Sequence, residues 1–86
     1  MKHAGQEVLA SLAPLLAKVR RHTVLKERKL GAFYYKSRGF LHFHEDPAGI
    51  FADVKIGTDF VRMRATTQKE QRELVVRIDE HLSNAR

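Results

Sequence analysis

The chain has 86 residues, of which 43 % are hydrophobic and 30 % are charged. This balance is typical of a soluble globular protein and excludes a disordered one, and the length predicts one domain over residues 1–86. The chain has no cysteine, which excludes disulfides and thiolate zinc sites and fits the cytoplasmic location that we expect. No apolar run is long enough to cross a bilayer, so we expect no membrane span.

The net charge of +6 is concentrated in one segment. Residues 18–29, "KVRRHTVLKERK", hold six Lys or Arg and one Glu, a net charge of +5. Such a segment predicts either a solvated helix end that complements the helix dipole or a patch that binds phosphates. The candidate phosphate-binding residues are Lys18, Arg20, Arg21, Lys26, Arg28 and Lys29.

The first predicted element is a helix from about Gly5 to His22. Its apolar residues recur at the 3.6-residue period of a buried helix stripe: Val8, Leu9, Leu12, Leu15, Leu16 and Val19. Pro14 interrupts this pattern, because proline removes a backbone hydrogen bond inside a helix. We expect either a kink there or a short first helix followed by a second helix that Pro14 opens.

Between the helices the apolar period falls to two. Four strands are predicted from "AFYYK", "FLHFHE", "IFADVKI" and "DFVRMRA". The loops that join them are short, Ser37-Arg38, Asp46 to Gly49 and Gly57-Thr58, so neighbouring strands run antiparallel.

The last predicted element is a helix from about Gln68 to Ser83, with Thr67 and Glu70 as a capping box. Its buried stripe is Leu74, Val75, Ile78 and Leu82. The predicted fold is therefore α+β, a two-layer sandwich in which helix, four-stranded antiparallel meander and helix follow in order, with both helices on one face of the sheet.

The loops also predict a register that sorts the strand residues onto two faces. Two rows are apolar or aromatic and face the helices: Tyr34, Leu41, Val54 and Val61, and Ala32, Phe43, Ala52 and Met63. The other face, the predicted open face, carries aromatic, histidine and charged residues. These candidate partner- or ligand-binding residues are Phe33, Tyr35, Phe40, His42, His44, Phe51, Asp53, Phe60, Arg62 and Arg64.

The row of His42, Asp53 and Arg62 has several interpretations. Facing residues on paired strands lie close together, so the row is either ordinary cross-strand pairing or part of a site. His42 and His44 are spaced to bind one metal ion with Asp53 or Asp46 as a third ligand, but Arg62 competes for the carboxylate and repels a cation. A His42–Asp53 pair also suits general-base chemistry. We assign no metal site and no catalytic residue, and we expect no cofactor.

Five aromatic residues on one open face predict a covering partner, because exposed apolar patches of that size are rare in monomers. We predict a non-enzymatic binding or interaction domain that forms a homodimer through this face, since twofold homodimers are the commonest oligomers. The alternative is a nucleic-acid-binding module that uses residues 18–29 and the aromatic and arginine residues of the face. A second alternative is a metal-dependent or small-molecule enzyme at His42, His44 and Asp53.

A resemblance to the core of small bacterial proteins of uncharacterised function is carried by "FLHFHEDPAGIFADVK" and, more loosely, by "FVRMRATTQKEQRELVVRI". It covers roughly the last two-thirds of the chain, so Pro14 and the basic segment lie outside it. The resemblance implies a bacterial protein with an FLHFHEDPAG-type hairpin, and it implies no activity, cofactor or residue role.

Overall fold

The computed structural model describes residues 1–84, and Ala85 and Arg86 lie outside the described residues. The chain has an α+β fold with three helices and a six-stranded antiparallel sheet. The helices are α1 (Gln6–Ser11), α2 (Ala13–Val19) and α3 (Gln68–Asn84). The strands are β1 (Lys2–His3), β2 (Leu25–Lys29), β3 (Ala32–Tyr35), β4 (Arg38–Asp46), β5 (Gly49–Ile56) and β6 (Asp59–Arg64).

The sheet is larger than the four predicted strands, which are β3 to β6. Its main path runs β2-β3-β4-β5-β6, and β1 pairs with β4 beside this path. The prediction missed β2 because its residues, "LKERK", are mostly charged. It missed β1 because two residues are too few to show an alternating pattern.

The first predicted helix is two helices that meet at Leu12. The backbone leaves the helical range there, with φ −96° and ψ 11°, and α2 begins at the next residue. Pro14 lies in the first turn of α2, where a missing backbone N–H removes no helical hydrogen bond. The structure therefore has the second of the two expected arrangements.

The predicted capping box of α3 is present. Thr67 Oγ1 accepts a hydrogen bond from the backbone N–H of Glu70 at 3.1 Å, and Glu70 Oε1 accepts one from the backbone N–H of Thr67 at 2.9 Å. Both N–H groups would otherwise lack a helical partner.

One core cluster joins the helices to the sheet. Its helix residues include Leu15, Leu16, Val19, Leu74, Ile78 and Leu82, Leu12 joins it from between α1 and α2, and its strand residues include Phe33, Leu41, Phe43, Ala52 and Val54. Successive side chains of a strand point to opposite sides, so the residues that alternate with these on β4 to β6 lie on the side away from the core. We call that side the outer face, and its residues there are His42, His44, Phe51, Asp53, Lys55, Phe60, Arg62 and Arg64.

The predicted register of β4, β5 and β6 is confirmed. His42 lies opposite Asp53, and Asp53 lies opposite Arg62. The neighbouring rows are His44, Phe51 and Arg64 on one side and Lys55 and Phe60 on the other. Three strands therefore bring the predicted polar row together.

The pairing of β3 with β4 differs from the prediction. Phe33 pairs with Leu41, whereas Tyr34 pairs with Gly39, so Phe40 is an extra residue on β4. A bulge of this kind changes the register by one residue, which moves the following side chains to the other side of the sheet. The turn before it is also one residue earlier than predicted, at Lys36-Ser37.

The prediction that Phe33, Tyr35 and Phe40 belong to an open face was therefore wrong. Phe33 and Phe40 are core residues, 1 % and 2 % exposed, and Tyr35 packs against the same core. Phe40 also stacks on His81 of α3, with the ring centroids 5.9 Å apart. Two of the five predicted aromatic residues, Phe51 and Phe60, remain on the outer face.

Across residues 1–84, the helices are too short or too polar to traverse a bilayer.

Candidate functional site: a histidine cluster on the outer face

The outer face carries a third histidine that β1 brings to the pair on β4. In the antiparallel pairing of these strands, His3 lies opposite His44 and Lys2 lies opposite Glu45. Residues opposite each other point to the same side of a sheet, so His3 joins His42 and His44. The imidazole rings of His3 and His44 are stacked, with centroids 4.8 Å apart.

The position of β1 depends on contacts made by Glu45. Its Oε2 accepts a hydrogen bond from the backbone N–H of Gly5 at 2.7 Å, and its Oε1 lies 3.7 Å from Lys2 Nζ. The backbone N–H of Ala4 donates to the carbonyl of Phe43 at 3.0 Å. These contacts on both sides of His3 in the chain hold its backbone beside β4.

The three histidines present converging nitrogen atoms. One ring nitrogen from each of His3, His42 and His44 can be chosen so that all three lie within 4.8 Å of one another. His42 Nδ1 and His44 Nε2 are 3.1 Å apart. Two of the three residues are half-buried and His3 is exposed, so the cluster is open to solvent on the β1 side.

Asp53 lies beside the cluster and is the one charged side chain that is buried among residues 1–84, at 8 % exposure. Arg62 donates to both of its oxygens, from Nε to Oδ1 at 2.8 Å and from a terminal nitrogen to Oδ2 at 2.9 Å. These hydrogen bonds hold the pKa of Asp53 below its usual value, although burial opposes them. Oδ2 also lies 3.1 Å from His44 Nε2.

The Asp53–Arg62 pair therefore carries no net charge. The sequence-based objection that Arg62 repels a cation is weakened, because the carboxylate offsets the guanidinium at a distance of one hydrogen bond. Asp53 is committed to Arg62 with both oxygens, so the three imidazoles are the available metal ligands.

His42 lies where its neutral form is favoured. Burial lowers the pKa of its imidazole, and neighbouring His44, His3 and Arg62 lower it further, while Asp53 acts in the opposite direction. The ring also contacts Phe60, with centroids 5.2 Å apart. Neutral imidazole is the form that binds metals.

The remaining predicted outer-face residues surround the cluster without joining it. Arg64 lies over the ring of Phe51, 5.1 Å from its centroid, and Lys55 Nζ lies 5.7 Å from the centroid of Phe60. Arg64 Nε also donates to an oxygen of Glu70 at 3.1 Å. Phe60 is 46 % exposed, and each of the two aromatic rings on the outer face has a cation over it.

The predicted phosphate-binding segment does not form one uniform basic patch. Arg20 donates to both oxygens of Glu27 and forms an ion pair with it. Arg28 lies over the ring of Tyr34, 5.0 Å from its centroid. Within residues 1–84, Lys18, Arg21, Lys26 and Lys29 are exposed and have no such ion pair or ring contact.

Of the three histidines, His42 and His44 were predictable from the strand pattern, and His3 was not. Its only signal is the residue type, since a two-residue strand has no period and nothing local indicates its partner. No protein-family model, curated protein or solved structure matches the chain. What the chain can do is therefore inferred from its own side chains.

Proposed function

We propose that this chain is a metal-binding domain that holds one divalent transition-metal ion, of the zinc class, between His3, His42 and His44. The observation that carries the proposal is the convergence of three ring nitrogens within 4.8 Å of one another, two of them 3.1 Å apart. Two nitrogens bound to a tetrahedral zinc ion at ~2.0–2.1 Å are about 3.3 Å apart. The His42–His44 pair is thus close to the spacing of two ligands.

The donor set supports an ion that prefers nitrogen. Imidazole suits zinc, copper, nickel and iron, whereas calcium and magnesium prefer oxygen ligands. His3 is exposed and can close the remaining distance by rotating its side chain. Three protein ligands leave at least one coordination position for water or another molecule, which is the pattern of a reactive rather than a purely structural zinc site.

The scaffold that supports this proposal is a two-layer arrangement. We infer that the helices lie on one face of the antiparallel meander, as the sequence predicts, and leave the outer face accessible. The hairpin strands hold His42 and His44 at fixed separation, because alternate residues of one strand point to the same side.

The experiment is a zinc titration of protein that carries no histidine tag, by isothermal calorimetry at neutral pH. The variants are His3→Ala and His44→Gln. The matched control is His22→Ala, which removes an imidazole that contacts Asp79 of α3 and does not belong to the histidine cluster. We expect one zinc ion per chain, at least tenfold weaker binding in each cluster variant and unchanged binding in the control. Equal affinity in His3→Ala and the wild type would refute the proposal.

Homodimerisation and nucleic-acid binding stay predictions. The aromatic basis for a dimer is reduced to Phe51 and Phe60, the two of the five predicted aromatic residues that lie on the outer face. Nucleic-acid binding has the exposed lysines of the basic segment in its favour, while Arg20 is engaged by Glu27.

A further inference from the structure

β1 and β3 pair with different parts of the same edge of β4, and a cleft lies between these two strands. β5 occupies the opposite edge, pairing with residues 41–46. β3 pairs with β4 up to Leu41, and β1 pairs with it at His44 and Glu45. Between the end of β1 at His3 and the start of β3 at Ala32, a cleft of about 420 Å³ opens beside β4.

The lining of the cleft combines an apolar wall with two of the cluster histidines. Its apolar residues that are exposed or half-buried include Leu9, Leu30 and Ala32, whereas Phe33, Leu41 and Phe43 are almost fully buried. His3 and His42 are the imidazoles in the lining. The same two residues belong to the histidine cluster. The cleft and the proposed metal site therefore share two residues.

We propose that this cleft binds a small aromatic carboxylate, with its ring against the apolar wall and its carboxylate on the open coordination position of the metal ion. This inference rests on the proposed metal site. An apolar cavity of about 150 Å³ is enough to hold benzene, so the cleft has room for one ring and a short chain. Carboxylate oxygen is an ordinary zinc ligand.

The charge of the lining favours an anion over a neutral or cationic molecule. Lys29 lines the cleft and is exposed, and no carboxylate side chain among the described residues is part of the lining. Tyr34, which also lines it, offers a hydroxyl group. Ligand pockets of this kind typically join an apolar body to a few convergent polar groups that fix orientation.

The test uses 3-phenylpropionate as the probe and 3-phenylpropionamide as its neutral counterpart. Zinc affinity is measured first, without the probe. Each compound is then titrated into zinc-loaded and metal-free protein, followed by backbone amide NMR shifts. The cleft variant is Ala32→Ile, which narrows the cleft with a residue suited to a strand, and the matched control is Ala17→Ile on the exposed side of α2.

We expect the carboxylate to bind zinc-loaded protein at least tenfold more tightly than metal-free protein, and at least tenfold more tightly than the amide binds. Ala32→Ile should weaken that binding at least tenfold with unchanged zinc affinity, and Ala17→Ile should bind as the wild type does. Zinc binding with no response to the carboxylate, or with equal response in Ala32→Ile, overturns this inference alone. A protein that binds no zinc overturns the proposed function, and this inference with it.

Discussion

His42 Nδ1 lies 3.1 Å from His44 Nε2, and both imidazoles project from one strand toward the same side of the sheet. His44 Nε2 is equally close to Asp53 Oδ2. When His44 Nε2 carries the hydrogen, both neighbours are within hydrogen-bond distance of it. A metal ion that replaces this hydrogen would be bound by both imidazoles at once.

The first prediction concerns Glu45, which positions His3 without belonging to the cluster. Glu45→Ala removes the acceptor for the Gly5 N–H and the partner of Lys2, so β1 is held less firmly beside β4. We expect zinc affinity to fall about tenfold, the usual effect of removing a group that orients a ligand. Calorimetric titration measures this, and Glu80→Ala on the exposed side of α3 serves as the control. Equal affinities in the two variants would show that β1 does not depend on Glu45.

The second prediction concerns the buried carboxylate of Asp53. Asp53→Asn removes the negative charge and one of the two acceptors for Arg62, because the side-chain NH2 of asparagine cannot accept a hydrogen bond. We expect the free energy of unfolding to fall by about 1–2 kcal/mol, a value kept small because the Arg62 side chain is 52 % exposed. Urea denaturation measures it.

The matched control for Asp53 is Asp59→Asn, the same chemical change at an exposed position of β6. We expect Asp59→Asn to change the free energy of unfolding by no more than about 0.5 kcal/mol. If both variants lose the same stability, the Asp53–Arg62 pair contributes nothing beyond surface charge.

The third prediction is a pH dependence that comes from Glu27. The hydrogen bonds from Arg20, and then the one from the backbone N–H of Gly31, lower the pKa of Glu27 against the effect of burial. A carboxyl group whose pKa is lower in the folded state stabilises the fold above its unfolded pKa of about 4.3. That stabilisation is lost as the pH falls through the lower, folded value.

Urea denaturation of the wild type and Glu27→Gln between pH 7 and pH 3 tests this effect. We expect the wild type to be more stable by a constant amount above about pH 5 and the difference to shrink as the pH falls below about 4.3. A difference that stays constant down to pH 3 would mean that the Glu27 carboxylate is not the source.

The fourth prediction concerns the β3–β4 turn, where Lys36 and Ser37 both have left-handed backbone, with φ 51° and 68°. Residues with a Cβ atom are disfavoured there, and glycine is not. We expect Ser37→Gly to raise the free energy of unfolding by about 0.5–1 kcal/mol, allowing for the greater freedom of glycine in the unfolded chain. In Ala17→Gly, within α2, glycine should lower it by about 1 kcal/mol. Thermal or urea unfolding gives both values, and a loss of stability in Ser37→Gly would contradict the prediction.

The fifth prediction is the homodimer that the sequence indicates. Light scattering at two protein concentrations should show a dimer, and Phe60→Ser should shift it toward monomer, because Phe60 is the more exposed aromatic residue of the outer face. Thr58→Ser, in the adjoining turn, serves as a control of similar location. A monomer at both protein concentrations would contradict the predicted homodimer.

The sequence by itself determined the parts of the fold that depend on an uninterrupted local residue pattern, which are strands β4 to β6 and the start of α3. The alternation from β4 to β6 specified the rows that contain His42, Asp53 and Arg62, since a period of two assigns every residue to a side. The capping box of α3 was also predictable, because its two hydrogen bonds join residues three apart.

Only the tertiary structure decided which face Phe33 occupies and that His3 completes the cluster. A bulge at Phe40 adds one residue to one strand, and neither composition nor period marks the place where that happens. β1 is a two-residue strand that acquires its position from β4 and Glu45. Its pairing is a long-range contact, and local propensity carries no information about such a partner.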